Sequence, residues 1–175
     1  MGFMKTLAGV LCAFAFAGPA IAQETSTNRV AAKTDWSVFV EENPTECWSV
    51  STPKETVNTR DGRIVAVNRG QILLMVFYRP GAGAKGQVAF TGGYPFRSGS
   101  GVRVNIGDSS FEMMTDGEWA WPQSTADDAK FIAAMKRGAS AVVTGVSGRG
   151  TTTKDTFSLL GFTAAVEDAE KRCAG

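Results

Sequence analysis

Short apolar runs separated by glycine-rich turns are the feature that most constrains the fold of this chain. Most runs alternate apolar and polar residues, as Val102, Val104 and Ile106 do in "VRVNI", which is the period of a half-buried strand. Turn sequences such as "TRDGR", "RPGAGAKG" and "SGRGT" lie between the runs. Many short strands with turns of this kind predict a mainly β fold, either an antiparallel sandwich or a barrel.

The strand-like runs also indicate which side chains share a face. In "DWSVFVEE", Trp36 and Val38 lie on one face, and in "CWSVST" the side chain of Cys47 lies opposite that of Trp48. The run "QILLMVFYR" is apolar on both faces instead of one. We therefore expect it to be a central strand that is covered on both sides.

A first helix is predicted after the proline of "WPQSTADDAKFIAAMKRG". Ser124 or Thr125 can cap its start, and acidic residues follow at the spacing of a capping box. Ile132 and Met135 supply an apolar stripe. Gly138 is predicted to end the helix in the left-handed conformation.

The N-terminus has the pattern of a secretory leader. Lys5 precedes "LAGVLCAFAFA", which is apolar but too short to span a membrane, and "AIA" at 20–22 fits a cleavage site. We expect residues 1–22 to be removed, residues 23–33 to form a flexible mature N-terminus and residues 34–175 to form a single domain. Retention of the leader as a membrane anchor is the alternative, which the small residues of the cleavage site disfavour.

A second helix and a disulfide bond are predicted together. In "FTAAVEDAEKRC", Phe162, Val166, Ala169 and Cys173 share one helical face, so Cys173 points inward. Loss of the leader leaves Cys47 and Cys173 as an even pair in an exported protein, which favours a bond between them. Two separate buried thiols are the alternative.

Charge and composition limit the function. The net charge of the chain is +1, and it falls to zero when Lys5 leaves with the leader. A neutral chain gives no electrostatic case for binding nucleic acid or anionic lipid. The sequence has no histidine, which excludes serine–histidine–aspartate catalysis and histidine-ligated metals. We therefore expect neither a cofactor nor a metal, and no enzyme activity.

An acidic and aromatic stretch, "MTDGEWAW", is the strongest candidate for chemistry. Asp116 and Gly117 are predicted to be the loop of a hairpin, with Met114 opposite Trp119. In one interpretation Asp116 and Glu118 are the two carboxylates of a glycosidase. A hairpin tip would bury neither acid, so a turn aspartate and a solvated glutamate are expected instead.

Four further side chains are candidates for a ligand or partner surface. Trp119 and Trp121 are two residues apart on a strand and share a face. We expect them in the core, and an exposed platform for sugars is the alternative. Arg149 and Lys154 flank a glycine turn, which is predicted to be an exposed basic hairpin, with an anion-binding nest as the alternative.

The runs quoted so far, with their neighbours, resemble a known family. The ordered set "DWSVFVEE", "ILLMVFYRPG", "DDAKFIAAMKRG", "VVTGVSGRG" and "DTFSLLGFTAAVEDAEKRC" resembles the invasion associated locus B family of alphaproteobacteria. The resemblance extends over most of the mature chain. It implies an immunoglobulin-like antiparallel β-sandwich with two short helices, and it implies no catalytic residues.

The resemblance also implies a location and a mode of action. We expect an exported, non-enzymatic protein of the periplasm or envelope, with the cell surface or secretion as alternatives and no transmembrane segment after leader cleavage. It would act by binding an envelope or host protein, with a role in host-cell interaction, and the alternative that Trp119 and Trp121 suggest is a module that binds glycans. Monomer and homodimer both remain open.

Overall fold

The computed structural model describes residues 28–174, so the predicted leader lies outside the described residues. The strands are β1 (Arg29–Lys33), β2 (Trp36–Glu42), β3 (Thr45–Ser51), β4 (Glu55–Arg60), β5 (Arg63–Ile64), β6 (Leu73–Arg79), β7 (Ala84–Thr91), β8 (Val102–Ile106), β9 (Ser109–Asp116), β10 (Trp119–Trp121), β11 (Ser140–Val146) and β12 (Thr152–Ser158). The helices are α1 (Thr125–Arg137) and α2 (Phe162–Cys173), and a single 3-10 turn occupies Pro80–Ala82. No helix in this part of the chain is long and apolar enough to cross a membrane.

The strands pair in the order β1-β2-β3-β6-β7-β10-β9-β8-β11-β12-β4-β5. We call the first six of these strands sheet A and the last five sheet B, and β9 pairs with both sheets. The inner faces of the sheets meet, as the edge-to-face contact between Phe90 of β7 and Phe157 of β12 shows, with ring centroids 6.1 Å apart. The predicted mainly β, antiparallel sandwich with two short helices is confirmed.

Helix α2 packs on the inner side of sheet A. Its residues Phe162, Val166, Ala169 and Cys173 are buried, as their spacing predicts. The Cys173 sulfur is bonded to that of Cys47 in β3, and the two Cα atoms are 5.8 Å apart. The predicted disulfide is therefore present in the structure and joins the last helix to an early strand.

Helix α1 packs at the edge of β7. Ser124 caps its start, as predicted, by accepting a hydrogen bond from a backbone N–H of the first turn. The buried carboxylate of Asp128 accepts a 2.8 Å bond from the N–H of Val88, on the part of β7 that β10 does not reach. Phe131 of α1 contacts Phe111 of β9, with ring centroids 4.6 Å apart, so this helix also lies on the inner side.

The end of α1 differs from the prediction. Gly138 has φ −84° and ψ 158°, which is extended backbone and not the left-handed conformation. A Cβ at this position would lie 2.4 Å from Cγ2 of Ile106, so the glycine is required by close packing against β8.

The N-terminal segment also differs from the prediction. Residues 29–33, predicted to be flexible, form β1 and pair with β2 as the edge strand of sheet A. One face of β1 contacts the core, through the half-buried side chain of Ala31. The segment Arg29–Lys33 does not alternate apolar and polar residues, and none of its side chains is fully buried, so it carries no strand signal in the sequence.

Strand β6 is central, as predicted, but only one of its faces is covered by another layer. Leu74, Val76 and Tyr78 are buried against the core on the inner side. Leu73 and Phe77 point outward and are half-buried. Because α1 and α2 both pack on the inner side, no helix of residues 28–174 covers the outer face of sheet A.

Candidate functional site

The β9–β10 hairpin sets the direction of the two tryptophans. Trp119 lies opposite Asp116, which leaves Gly117 and Glu118 as the loop residues. The predicted loop Asp116-Gly117, with Met114 opposite Trp119, is therefore wrong by one residue. Gly117 has φ 58°, and glycine with positive φ at the first loop position is the requirement of a type II′ turn, so this one residue fixes the register.

Trp119 and Trp121 point outward from sheet A. Ala120 between them is fully buried, and Trp121 lies opposite Met114, whose exposed fraction is 54%. The two indole rings are half-buried and nearly parallel, with centroids 6.3 Å apart and planes 19° apart. The prediction that both belong to the core is wrong, because a spacing of two residues shows that side chains share a face but not which face.

A second group of outward aromatic side chains lies across the same sheet. Phe39 of β2 stacks on Trp48 of β3, with centroids 5.6 Å apart and planes 4° apart. Trp48 in turn meets Phe77 of β6 at 6.3 Å. The guanidinium of Arg79 lies 4.6 Å from the centre of the Phe77 ring, at the distance of a cation–π contact.

We call this outward surface of sheet A the aromatic face. Its aromatic and aliphatic side chains are half-buried, and Met114 is exposed. The members of the aromatic face are Phe39, Trp48, Val50, Leu73, Phe77, Met114, Trp119 and Trp121. Met75 and Ala89 lie between the two aromatic groups and are buried. No helix of residues 28–174 covers this apolar surface. Contiguous apolar surfaces are typical of interaction sites, and aromatic residues are enriched at such sites.

A cavity of about 700 Å³ lies where three connecting segments meet. These are the crossing from β5 to β6, the segment that follows β7 and the β11–β12 turn. The first two cross at Gly70 and Gly93, where the Gly70 N–H donates to the Gly93 carbonyl at 2.9 Å. A Cβ on Gly93 would lie 2.6 Å from the Gly70 oxygen, so the crossing requires glycine.

Arg69 lines the cavity and forms a buried ion pair with Asp155 of β12. Two parallel hydrogen bonds of 2.7 and 2.6 Å join the guanidinium to the carboxylate. Arg69 also donates to the side-chain oxygen of Asn58 at 3.2 Å and to the carbonyl of Gly92 at 2.8 Å. The ring of Tyr94 lies 5.1 Å from its guanidinium carbon. This network connects β4, the crossing segment, the segment after β7 and β12.

The Tyr94 hydroxyl completes the network. It lies 2.6 Å from the hydroxyl of Thr153, which is buried on the inner face of β12. Burial raises the pKa of Tyr94 above its usual value, against the opposing effects of the Thr153 hydrogen bond and the Arg69 charge. The phenol therefore stays neutral near neutral pH.

Three exposed charged residues stand among those that line the cavity. Arg60, at the end of β4, donates to the Thr151 hydroxyl at 2.6 Å. Arg149 lies in the β11–β12 turn, and Glu118 comes from the β9–β10 hairpin. None of these three forms an ion pair within residues 28–174. The third arginine of the lining, Arg69, is neutralised by Asp155.

Comparison with known proteins decides the family. The family model described as "Invasion associated locus B (IalB) protein" matches residues 36–170, from the start of β2 to within the last turn of α2. The chain belongs to the IalB family. The crystal structure of invasion associated protein B from Bartonella henselae has a similar fold, with a TM-score of 0.56 and 14% identity, covering 83% of this chain and 98% of that one. No curated protein matches the chain. IalB is not a known enzyme family.

The structure separates the two basic candidates of this IalB-family chain. Arg149 lines the cavity. Lys154 is exposed on the outer side of sheet B, because Thr153 and Asp155 on either side of it are buried. The alternation of β12 therefore directs Lys154 away from the cavity, whereas Arg149 lies in the preceding turn and lines it.

The two acidic candidates are also separated. Asp116 and Glu118 are both exposed at the β9–β10 hairpin. Glu118 lines the cavity, whereas Asp116 does not. The cavity therefore holds only Glu118 of the two carboxylates that the glycosidase interpretation requires.

Three residues of the cavity had no recognisable signal in the sequence. Arg60 and Tyr94 lie in the turn-like sequences "TRDGR" and "TGGYP", and Arg69 lies in a segment without a recognised pattern. The glycine pair of "TGGYP" includes Gly93, where the backbone crosses that of Gly70. In the sequence this pair is indistinguishable from the glycines of an ordinary turn.

Proposed function

We propose that this IalB-family protein is an exported, non-enzymatic binding protein of the bacterial envelope, and that the aromatic face is its binding surface. The observation that carries the proposal is the aromatic face itself. Membership of the IalB family, which suggests an invasion-associated envelope protein, supports it. The absence of histidine from the sequence supports a non-catalytic role.

The energetics of association favour a surface of this kind. Binding energy at interfaces is concentrated in a few side chains, with tryptophan and tyrosine prominent among them. Trp48 has an aromatic neighbour on each side, Phe39 and Phe77, which hold its ring in place before a partner arrives. A ring that is already ordered loses little conformational entropy on binding.

Capture from envelope extract, comparing two variants, tests the proposal. Trp48→Ala removes the centre of one aromatic group, whereas Ile64→Ala removes an apolar side chain that is 82% exposed on β5, outside the aromatic face. We expect wild type and Ile64→Ala to retain the same partner, and Trp48→Ala to bind it at least about 30-fold more weakly, as hot-spot residues do. Equal retention by Trp48→Ala, with an unchanged circular dichroism spectrum, would contradict the proposal.

A glycan is the second candidate ligand. The observation that favours it is the pair of half-buried, nearly parallel rings of Trp119 and Trp121, which point outward from sheet A. Aromatic rings exposed on a strand can stack on sugars. Peptidoglycan fragments should then quench tryptophan fluorescence in wild type and quench it less in the Trp119→Ala variant. Emission that stays constant at saturating fragment concentrations would reject this candidate.

The proposed location is the periplasm. In an organism that invades host cells, a surface location would instead offer the aromatic face to a host protein. Protease added to intact cells should leave the protein intact, and digestion should begin only after the outer membrane is permeabilised. Digestion in intact cells would contradict the periplasmic location and direct the search for a partner to the host.

A further inference from the structure

The cavity has the size and rigidity of a ligand site. Its volume of about 700 Å³ lies within the range of small-molecule pockets, about 300–1,000 Å³. Its wall is braced by the buried pair of Arg69 and Asp155 and by the backbone crossing of Gly70 and Gly93. Burying an ion pair is costly unless further hydrogen bonds satisfy it, and Arg69 has such bonds. The pair therefore fixes the shape of the wall and leaves no net charge on it.

The two exposed arginines supply the charge that a ligand would meet. The bond from Arg60 to the Thr151 hydroxyl orients its guanidinium and leaves the other donors of the fork available. Arg149 lies in a turn in which the residues on either side of it are fixed by backbone hydrogen bonds. The Gly148 N–H donates to the Pro95 carbonyl at 2.9 Å, and the Gly150 N–H donates to the Ser147 carbonyl at 2.8 Å.

Glu118 is the opposing charge. It is the acidic residue among those that line the cavity, and it forms no ion pair within residues 28–174. With Arg69 neutralised, the rim carries two positive charges against one negative charge. A planar guanidinium matches carboxylate or phosphate oxygens through two parallel hydrogen bonds.

We propose that this cavity binds a small ligand through a carboxylate or phosphate group, which Arg60 and Arg149 hold, while Glu118 limits the affinity. The proposal is independent of the aromatic face, which lies on the outer side of sheet A. It assigns Lys154 no part in the site.

Nuclear magnetic resonance titration of the purified, isotopically labelled protein tests the proposal. Inorganic phosphate and succinate are the two probes, each added at constant ionic strength, so that the better ligand identifies the preferred group. Saturable shifts should be confined to the amides of the lining, such as those of Gly93, Arg149 and Thr151. Absence of saturable shifts with both probes would overturn the proposal.

Four charge variants sharpen the test. Arg60→Gln and Arg149→Gln should each weaken binding by roughly tenfold, the loss expected for one charge-assisted hydrogen bond. Glu118→Gln should tighten binding. Lys154→Gln, an equal change of charge on the same hairpin as Arg149, should leave it unchanged. All four residues are exposed, so the variants should fold, which a thermal melt checks. A loss of affinity in Lys154→Gln equal to that in Arg149→Gln, or no change in either arginine variant, would show non-specific attraction and overturn the proposal.

Discussion

Arg69 and Asp155 place a full ion pair in the interior, with exposed side-chain fractions of 6% and 0%. Removing one member leaves the other as an uncompensated buried charge. We therefore expect Arg69→Met to lower the free energy of unfolding by about 3–5 kcal/mol, measured by urea denaturation. The control is Arg103→Met, whose pair with Glu112 is more than half exposed and should contribute at most about 1 kcal/mol. Equal, small decreases in the free energy of unfolding of both variants would show that the buried pair does not stabilise the fold as its geometry indicates.

Asp128 gives a prediction of pH dependence at the same scale. Burial raises the pKa of its carboxyl, although the bond from the Val88 N–H opposes that shift. A raised pKa means that the folded state binds the proton more readily than the unfolded state. The charge therefore costs stability above that pKa, and the cost disappears as the pH falls.

The variant Asp128→Asn keeps the acceptor oxygen for Val88 and removes the charge. Its free energy of unfolding relative to wild type should rise as the pH is raised from about 3 to about 7, measured by urea denaturation across that range. A difference that stays constant with pH, or falls, would contradict the assignment.

Single residues also mark the limits of prediction from the sequence. The cap at Ser124 was predictable because both partners lie within one turn of helix. The role of Gly138 was not, because the methyl group of Ile106 that excludes a side chain there comes from a strand distant in sequence.

At the scale of elements, the junction of β1 and α2 depends on one glycine. Gly161 has φ 87°, and a Cβ there would lie 1.9 Å from the carbonyl oxygen of Lys33. Both the backbone conformation and the space exclude a side chain. We expect Gly161→Ala to destabilise the protein by more than about 2 kcal/mol, measured as a lower free energy of unfolding in urea.

The matched control for this variant is Gly81→Ala. Gly81 has no atom within 4 Å of its virtual Cβ and has no positive φ. It should change stability by less than about 0.5 kcal/mol. Similar stability of the two variants would mean that β1 and α2 do not meet as described.

The elements that the sequence predicted are those with local signals. Both helices have caps or apolar stripes, and β8 has a clean alternation of buried and exposed residues. Strands β1 and β4 were missed because none of their side chains is fully buried. The register of the β9–β10 hairpin was missed by one residue because Asp-Gly and Gly-Glu loops compete for the same turn, and the pairing of β9 with β8 is not visible locally.

At the scale of the whole molecule, the disulfide closes the fold. Cys47 and Cys173 are 126 residues apart, so reduction frees a long loop in the unfolded chain. We expect reduction to lower the free energy of unfolding by roughly 4–5 kcal/mol in the chain-entropy description, measured with and without reductant. Equal masses after alkylation, whether or not the unfolded protein is first reduced, would show that the bond is absent.

The cavity and the aromatic face are properties of the assembled molecule. Arg60, Arg69, Tyr94 and Arg149 meet only when sheet B folds over sheet A and the connecting segments cross. The aromatic face exists because both helices of residues 28–174 pack on the inner side, so neither of them covers the apolar outer side of β6. Neither the cavity nor the aromatic face follows from a local pattern. The sequence therefore predicts the sandwich correctly, but not that Trp119 and Trp121 point outward.

The central claim is that the aromatic face contacts a partner in the cell. A photo-crosslinking amino acid at Phe77, next to Trp48 in one aromatic group, tests it most directly, with the same amino acid at Val57 on the outer side of sheet B as the control. We predict that light produces an adduct of defined mass from position 77 and none from position 57. Adducts of equal yield from both positions, or none from position 77 when the protein is present at wild-type levels, would contradict the account.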